Sequence, residues 1–258
     1  MNKKIISAIV LTVIVVAVSI FFVSSSKKTL PAGFEIKSDG VYYHSELLAG
    51  VDPKTVQYIG DGYIKDSKNV YNAYGAGLPV KGADVNTFVT LSNAYEKDIN
   101  NVYYLSIIVD GADPKTFQVI GGFYAKDTKN VYELNRIIAG ADLKTAVLLW
   151  SNPKVSQNEY LKDKDSVYLD WVKIQNADPA TFTYIGNGYS KDKNSVYFAG
   201  DGMGPISYSI VQGSDLATIV PVVGTDYAKD KNHVYYYGKQ TGANPENCTT
   251  ENVAGCAK

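Results

Sequence analysis

Aspartate and tyrosine are the chemically active side chains that recur most regularly in this chain, in the pattern Tyr-x-Lys-Asp-x-x-x-Val-Tyr. A carboxylate and a phenol at fixed spacing could serve acid–base catalysis. The pattern occurs six times, however, and a residue present in every repeat serves the repeated unit rather than one reaction. We therefore interpret both residues as structural. The aspartates are Asp66, Asp98, Asp127, Asp163, Asp192 and Asp230, and the closing tyrosines are Tyr71, Tyr103, Tyr132, Tyr168, Tyr197 and Tyr235.

Few other residues have the types and spacing that catalysis or metal binding requires. His44 and His233 are the ordinary candidates for a general base near neutral pH. The stretches Asp163-Lys164-Asp165 and Gly200-Asp201-Gly202 superficially resemble calcium loops, but they lack the alternating oxygens and the terminal Glu. No Ser, His and Asp grouping is legible, although triads are scattered in sequence and escape this kind of reading. We expect no catalytic residues, no cofactor and no metal, and hence a protein that is not an enzyme.

The chain has two cysteines, Cys248 and Cys256, both in the C-terminal tail 241–258. Two cysteines supply too few ligands for a zinc site, and neither histidine is near them in sequence. A disulfide that closes this small loop is compatible with an exported protein. We predict that disulfide, and two free thiols in a disordered tail are the alternative.

Each copy of the pattern predicts a β-hairpin. The three residues between Asp and Val suit a type I turn followed by one residue in the left-handed conformation. That residue would precede Val, where the chain has Gly40, Asn69, Asn101, Asn130, Ser166, Ser195 and His233. In this register Asp66 pairs with Val70. Lys65 then pairs with Tyr71, and Tyr63 lies on the same face. We predict that this tyrosine face is buried; an exposed ladder that stacks on sugar rings is the alternative.

A second motif, Asp-x-x-Thr, connects the hairpins. Asp suits a helix cap, and in three copies Pro follows it, so we predict a short helical turn. The apolar run after each copy predicts a strand. The predicted fold is therefore all-β, a tandem array of β-hairpin repeats with a third strand and a short helical turn per repeat. A propeller needs four strands per blade, so we favour an open array. The six connectors are Asp52–Thr55, Asp84–Thr87, Asp113–Thr116, Asp142–Thr145, Asp178–Thr181 and Asp215–Thr218.

The hairpin motif resembles the DKNYY family of bacterial envelope proteins, as in Asp230-Lys231-Asn232 followed by Val234-Tyr235-Tyr236. The resemblance covers a repeat domain at residues 34–240. It implies no catalytic or ligand-binding residues that could be transferred to this chain. A worn first copy has Phe34, Ile36 and Lys37 where the others have Tyr, Lys and Asp. We interpret that copy as a terminal cap.

Residues 5–23 are almost entirely apolar. Their length suffices for a membrane-spanning helix, whereas the apolar cores of signal peptides are shorter. We predict a retained anchor, with cleavage after Val23-Ser24-Ser25 as the alternative. A slight excess of positive charge before the span predicts residues 1–4 in the cytoplasm, residues 24–33 as a tether, and the rest outside. The predicted location is a bacterial cell membrane, as a single-pass protein with its C-terminal domain periplasmic or extracellular.

The charge pattern argues against nucleic acid as a partner. Lys and Arg number 25, Asp and Glu number 26, and the net charge is −1. Lys alternates with Asp inside the hairpins instead of clustering into a basic patch.

A function specific to one copy could lie in the irregular insertions at Tyr74–Lys81, Trp150–Glu159 and Gly200–Pro205. Insertions in repeat proteins often line the binding face, although tolerated surface length is the alternative. We expect a non-catalytic, membrane-tethered, exported module of the cell envelope that binds an envelope protein or a cell-wall glycan. The alternative is an exported hydrolase with its site in these loops.

Overall fold

The structure, a computed structural model, describes residues 30–75, 77–150, 159–200 and 207–257. These ranges consist of β-strands and turns, with two short 3-10 helices at Ala73–Gly75 and Val253–Cys256. The prediction of an all-β repeat is confirmed. The predicted membrane anchor at 5–23 lies outside the described residues. Among the residues that the structure does describe, no helix is long and apolar enough to cross a membrane.

The described strands form seven small antiparallel sheets, in which consecutive strands are neighbours. Sheet 1 has three strands, β1 (Phe34–Lys37), β2 (Gly40–Tyr43) and β3 (Glu46–Leu47). Sheet 2 consists of β4 (Gln57–Gly60), β5 (Tyr63–Lys65), β6 (Val70–Asn72) and β7 (Leu78–Pro79), and sheet 3 of β8 (Val89–Thr90), β9 (Tyr95–Lys97), β10 (Val102–Tyr104) and β11 (Ile107–Ile108). Sheet 4 consists of β12 (Gln118–Gly121), β13 (Tyr124–Lys126), β14 (Val131–Glu133) and β15 (Arg136–Ile137), and sheet 5 of β16 (Val147–Trp150), β17 (Tyr160–Lys162), β18 (Val167–Leu169) and β19 (Val172–Lys173). Sheet 6 consists of β20 (Thr183–Gly186), β21 (Tyr189–Lys191), β22 (Val196–Ala199) and β23 (Tyr208–Ile210), and sheet 7 of β24 (Val220–Pro221), β25 (Tyr227–Lys229), β26 (Val234–Tyr236) and β27 (Lys239–Gln240).

Each complete repeat thus has four strands, and the predicted count of three is wrong. The missing strand is a short edge strand that returns immediately after Val-Tyr, as β11 does beside β10. The turn between them uses Leu105 and Ser106 in the left-handed conformation, at φ values of 48° and 71°. Asn-Gly and Asp-Gly are the usual sequence signals of such a turn, so Leu-Ser gave no hint of it. The predicted count of three strands was the argument against a propeller, so that argument no longer holds.

The predicted hairpin register is wrong by one residue. Lys65 pairs with Val70, and Ile64 pairs with Tyr71. Asp66–Asn69 form the turn, which a backbone bond from Asp66 N to Asn69 O closes at 3.0 Å. The residue before Val has a negative φ in every copy, so the predicted left-handed residues are also wrong. The Asp side chain binds the free N–H groups of the turn, which removes the need for a left-handed position.

The corrected register places the two tyrosines of a hairpin on opposite faces of their sheet. Tyr63 shares its face with Lys65, and Tyr71 shares the other face with Ile64. Both rings are buried, at 2% and 1% exposure. The predicted burial of the tyrosines is confirmed, which excludes the alternative of an exposed ladder, but the prediction that both lie on one face is wrong. A sheet with apolar side chains on both faces must bury both, and sheets 2 to 6 do so by stacking between two neighbours.

The stacked sheets enclose one apolar layer at each junction. Between sheets 3 and 4, the layer combines Tyr95 and Val102 with Phe117, Ala125 and Tyr132. The Phe117 ring comes from the connector and lies between the two tyrosines, with centroid distances of 5.2 Å to Tyr95 and 5.7 Å to Tyr132. Phe88 and Phe182 occupy the same place at two other junctions.

The strand order gives the stack two distinct ends. At the connector end lie the Asp turns and the Asp-x-x-Thr segments. At the turn end lie the joins between first and second strands and between third and fourth strands. The outer face of sheet 1 is open to solvent, since Glu35 and Lys37 on it are 58% and 47% exposed. The last face of sheet 7 is covered by the C-terminal tail.

Burial of the second tyrosine predicts a large effect of its removal. Tyr132→Ala should lower the free energy of unfolding by about 3–5 kcal/mol, because it empties a packed site between two sheets. Tyr132→Phe should lower it by about 1–2 kcal/mol, because the ring stays but the hydroxyl is lost. Denaturant unfolding monitored by circular dichroism measures both.

Tyr42 is the matched control, because it is the same repeat position in sheet 1, where no sheet precedes it. Tyr42→Ala should change stability by less than about 1 kcal/mol. Equal losses at Tyr42 and Tyr132 would contradict the stacked arrangement.

Candidate binding surface

The hairpin aspartate organises the connector end. In sheet 4, Asp127 Oδ1 accepts hydrogen bonds from Lys129 N at 2.6 Å and Asn130 N at 2.8 Å. Its Oδ2 accepts from Asp113 N at 2.9 Å and from the Tyr132 hydroxyl at 2.9 Å. One buried carboxylate thereby joins its own turn, the connector and the tyrosine. Burial acts to raise the pKa of this carboxyl, but the backbone donors outweigh it and hold the pKa below its usual value.

The same arrangement recurs in the other complete copies. The connector N–H and the tyrosine hydroxyl bind the aspartate in all six, at Asp66, Asp98, Asp127, Asp163, Asp192 and Asp230. The residue before Val completes the set, because Asn130 Nδ2 donates to the Tyr132 hydroxyl at 3.1 Å. Asn at this position is thus explained by its side-chain donor and not by its backbone conformation.

Connector and hairpin are joined by two further recurring bonds. Thr145 Oγ1 donates to its own connector aspartate, Asp142, and accepts from Lys164 N in the hairpin turn. The hairpin lysine crosses to the next repeat, where Lys97 Nζ donates to Pro114 O at 3.0 Å. Both bonds have counterparts in the other five complete copies. The polar groups of the repeated motifs are therefore engaged in holding the stack together.

The C-terminal tail imitates the connector of a further repeat. Asn244 takes the place of the connector aspartate and accepts from Glu246 N at 2.9 Å. Lys229 Nζ donates to Pro245 O at 3.0 Å, as other hairpin lysines do to true connectors. Cys248, four residues after Asn244, lies where Phe117 lies after Asp113. It is buried and forms a disulfide with Cys256, so the bridge closes the tail over the face of sheet 7.

The histidines and the calcium-like stretches are not brought together. His233 lies in the turn of sheet 7, with Nδ1 3.4 Å from the Tyr235 hydroxyl. His44 lies at the turn end of sheet 1, beside the ring of Tyr43. Asp163 takes part in the connector network, and residues 201–206 lie outside the described part of the chain. Within the described ranges, no group of three or more His, Cys, Asp and Glu side chains is placed to hold a metal ion.

The turn end carries a second set of aromatic residues that the sequence analysis missed. Aromatic or cation–π contacts bridge successive sheets there, for example Tyr104 to Phe123 at 6.4 Å and Phe198 to Tyr237 at 5.8 Å. Several of these rings reach solvent; Tyr74 is 68% exposed, Phe123 43%, Tyr237 43% and Tyr236 40%. We call these residues the turn-end aromatics. The position after Val-Tyr, which holds Tyr43, Tyr104, Phe198 and Tyr236, was the available signal.

The turn end also contains bulky residues in strained backbone. His44, Leu105, Leu134 and Tyr237 have φ values of 47°, 48°, 53° and 47°. The left-handed region costs a side chain with a Cβ about 1–2 kcal/mol, and Asn or Gly would relieve it. Because such residues recur at the same turn, the turns at this end are less stable than Asn or Gly would make them.

The carboxyl groups of Glu133, Glu159 and Asp170 are buried together at the turn end, where sheets 4 and 5 meet. Burial raises the pKa of Glu133 to about 8; Asp170 and Glu159 add to the shift, and Arg136 opposes it. Glu133 Oε2 has no hydrogen-bond partner among the described residues. Burial also raises the pKa of Asp170 to about 6 and, between sheets 2 and 3, that of Glu96 to about 7.

The aspartate network predicts that charge and not only shape matters at the hairpin. Asp127→Asn should cost about 1.5–3 kcal/mol, because an amide NH2 would then face the donors Asp113 N and Tyr132 OH. Asp113→Asn is the control, since Asn caps a turn nearly as well as Asp and should cost only a few tenths of a kcal/mol. Chemical denaturation of the two variants measures the difference. Equal losses would contradict a specific role of the hairpin carboxylate.

The buried carboxyls predict that stability falls as pH rises. The unfolded chain releases the Glu133 proton near pH 4.5 and the folded chain near pH 8. Between these values the folded state holds more protons, so rising pH favours unfolding. Glu133→Gln should stabilise the protein little at pH 4.5 and progressively more up to pH 8, where the gain in unfolding free energy should reach about 4 kcal/mol. The melting temperature should rise in parallel.

Thermal melts of the full chain between pH 4.5 and pH 8.5 test this. Glu46→Gln, at the exposed start of β3, is the control and should follow the wild-type curve. A gap between Glu133→Gln and wild type that does not widen with pH would contradict the account.

The family of the chain follows from a comparison with known proteins. The DKNYY family model matches residues 95–239, from the first strand of the hairpin in sheet 3 to β27 of sheet 7. No curated protein and no solved structure matches the chain significantly. The hairpin of sheet 2 precedes the matched region but contains the same carboxylate contacts through Asp66. By its matched length and its recurring motif, this chain belongs to the DKNYY family.

Proposed function

We propose that the chain is a non-catalytic, membrane-tethered, exported repeat protein that binds a component of the bacterial cell envelope at its turn end. The single observation that carries the proposal is the difference in side-chain character between the two ends of the stack. The polar groups of the repeated motifs are bound to one another at the connector end. The turn end presents exposed aromatic rings, one of which, Tyr237, lies in strained backbone, and stability alone does not require them.

One of the insertions supports the same surface. Tyr74–Lys81 starts at the turn end, in the join between β6 and β7, whereas most residues of the other two lie outside the described part of the chain. In Tyr74–Lys81, Tyr74 lies over the backbone of Gly62 and is 68% exposed. An insertion that carries an exposed ring at one end of a repeat stack favours that end as the binding face.

The proposed location rests on the N-terminal stretch and on the cysteines. Residues 5–23 would anchor the chain in a bacterial cell membrane as a single pass, with residues 1–4 in the cytoplasm and residues 24–33 as a tether. The Cys248–Cys256 disulfide suits the periplasm or the cell exterior, where disulfides persist. We propose that the stack is open, because the outer face of sheet 1 is solvated and a tail covers that of sheet 7.

The anchor predicts how the protein fractionates. The full-length chain, expressed in bacteria, should stay with the membranes through an alkaline carbonate wash, and protease added to spheroplasts should digest its C-terminal domain. Intact mass should correspond to an uncleaved chain. A mass that starts near Ser26 or Lys27 would contradict the anchor, and a protease-resistant domain would contradict export.

Binding and hydrolysis predict different results with the same preparation. A binding module should be retained on purified bacterial peptidoglycan or cross-link to an envelope protein. It should also be inactive in a panel of esterase, glycosidase and peptidase substrates. Turnover that is lost on substituting polar residues of the three insertions would replace this proposal with the hydrolase.

A further inference from the structure

We propose that Tyr236 and Tyr237, together with Asp226, form a binding site for a neutral glycan chain at the turn end of sheet 7. This inference rests on the proposed function and adds to it a position and a ligand class. Glycan recognition generally combines an exposed aromatic ring, which stacks on the apolar face of a sugar, with a fixed acceptor for sugar hydroxyls. Both parts are present here within two adjacent turns.

The aromatic part is a cluster of three tyrosines. The ring centroid of Tyr236 lies 4.5 Å from that of Tyr227 and 4.4 Å from that of Tyr237. Phe198 of sheet 6 supports Tyr237 from below, at 5.8 Å and nearly perpendicular. Tyr236 and Tyr237 nonetheless remain 40% and 43% exposed. The rings are thus held by neighbours while part of their surface stays free for a ligand.

The backbone shows that Tyr237 is not the residue that stability would select. Tyr237 and Gly238 have φ values of 47° and 73°, which define a tight turn with both residues left-handed. Asn187-Gly188 makes a turn of the same kind between β20 and β21, with φ values of 51° and 78°. Asn-Gly is the pair that this geometry favours. A tyrosine in a position suited to Asn points to a role for its ring.

Asp226 supplies the acceptor. It lies in the turn before β25, and its carboxylate hydrogen-bonds the Tyr237 hydroxyl, which raises the pKa of that phenol. Asp226 O also accepts from Tyr237 N at 3.3 Å, so the two turns are joined. A carboxylate beside the rings favours a hydroxyl-bearing neutral ligand and disfavours polyanions such as phosphate-rich polymers.

The other turn-end aromatics indicate a chain and not a single sugar. Packed sheets lie roughly 10 Å apart, a distance comparable to the length of a β-1,4-linked disaccharide. Two further rings, Phe123 of sheet 4 and Trp171 in the turn between β18 and β19 of sheet 5, could therefore meet neighbouring disaccharides of one extended polymer. Arg136 stacks on Trp171 at 4.2 Å and fixes that ring along the row.

The test uses the full-length chain in a polyoxyethylene detergent, which has no sugar headgroup to compete. The probes are chitohexaose, a neutral β-1,4-linked hexamer, in calorimetric titration and purified peptidoglycan in pull-down. The variants are Tyr236→Ala, Tyr237→Ala and Tyr237→Asn. Tyr42→Ala is the control, because Tyr42 is a partly exposed tyrosine on the face of sheet 1, away from this site.

We expect saturable chitohexaose binding that each site variant weakens by about tenfold or more, as removal of a stacking ring does elsewhere. Tyr42→Ala should bind like wild type. Tyr237→Asn should bind poorly while its melting temperature is unchanged or raised, which separates lost binding from lost folding.

Three results with chitohexaose or a cross-linker would overturn the inference, and a fourth comes from the peptidoglycan pull-down. The first is no binding of chitohexaose by wild type, and the second is binding that the site variants leave intact. The third is a cross-linked envelope protein that is lost in Tyr237→Asn and not displaced by chitohexaose, which would make the site a protein interface. Peptidoglycan retention that survives all three variants would overturn this site but leave the proposed function standing. Absence of both retention and any cross-linked partner in wild type would remove the proposed function itself.

Discussion

A buried carboxylate that needs four donors at once is the constraint on which this fold depends. Asp127 takes these donors from its own turn, from the connector and from a tyrosine on the face of its sheet. Burial of a carboxylate that lacks them is strongly unfavourable. The turn, the connector and the tyrosine ring must therefore reach their native positions together. This couples local structure to the stacking of sheets.

Stacking follows because each hairpin of sheets 2 to 6 buries one tyrosine on each face. A sheet with two apolar faces cannot stand alone, so every repeat requires a neighbour on both sides. The ends of the stack solve this differently. Sheet 1 has Lys37 in place of the hairpin aspartate and a solvated face, whereas the tail beyond sheet 7 copies a connector and closes with a disulfide. Such terminal departures are typical of repeat proteins.

The sequence predicted the repeat, the hairpins and the connector, because each is a pattern of residue types that occurs six times. It did not predict the register. Asn before Val suits both a left-handed backbone and a side-chain donor, and only the structure shows that Asn130 serves as a donor to Tyr132. The sequence did not predict the fourth strand, because Leu105-Ser106 forms a turn that usually requires Asn or Gly. The turn-end aromatics and Glu133 vary from copy to copy, and a search for repeated residues excludes such positions. The likeness of Gly242–Asn247 to Gly111–Thr116 was visible in the sequence and would have revealed the imitated connector.

The recurring polar contacts lie at the connector end, where the hairpin carboxylate holds the turn, the connector and the tyrosine together. Native-state hydrogen exchange tests this role of the carboxylate most directly. The amides of Lys129, Asn130 and Asp113 lie in turns, but each is bonded to Asp127, and they should exchange as slowly as the strand amides of sheet 4. In Asp127→Ala, the same three amides should lose protection together. Exchange of these amides in the wild-type protein as fast as that of solvent-exposed loop amides would contradict the account.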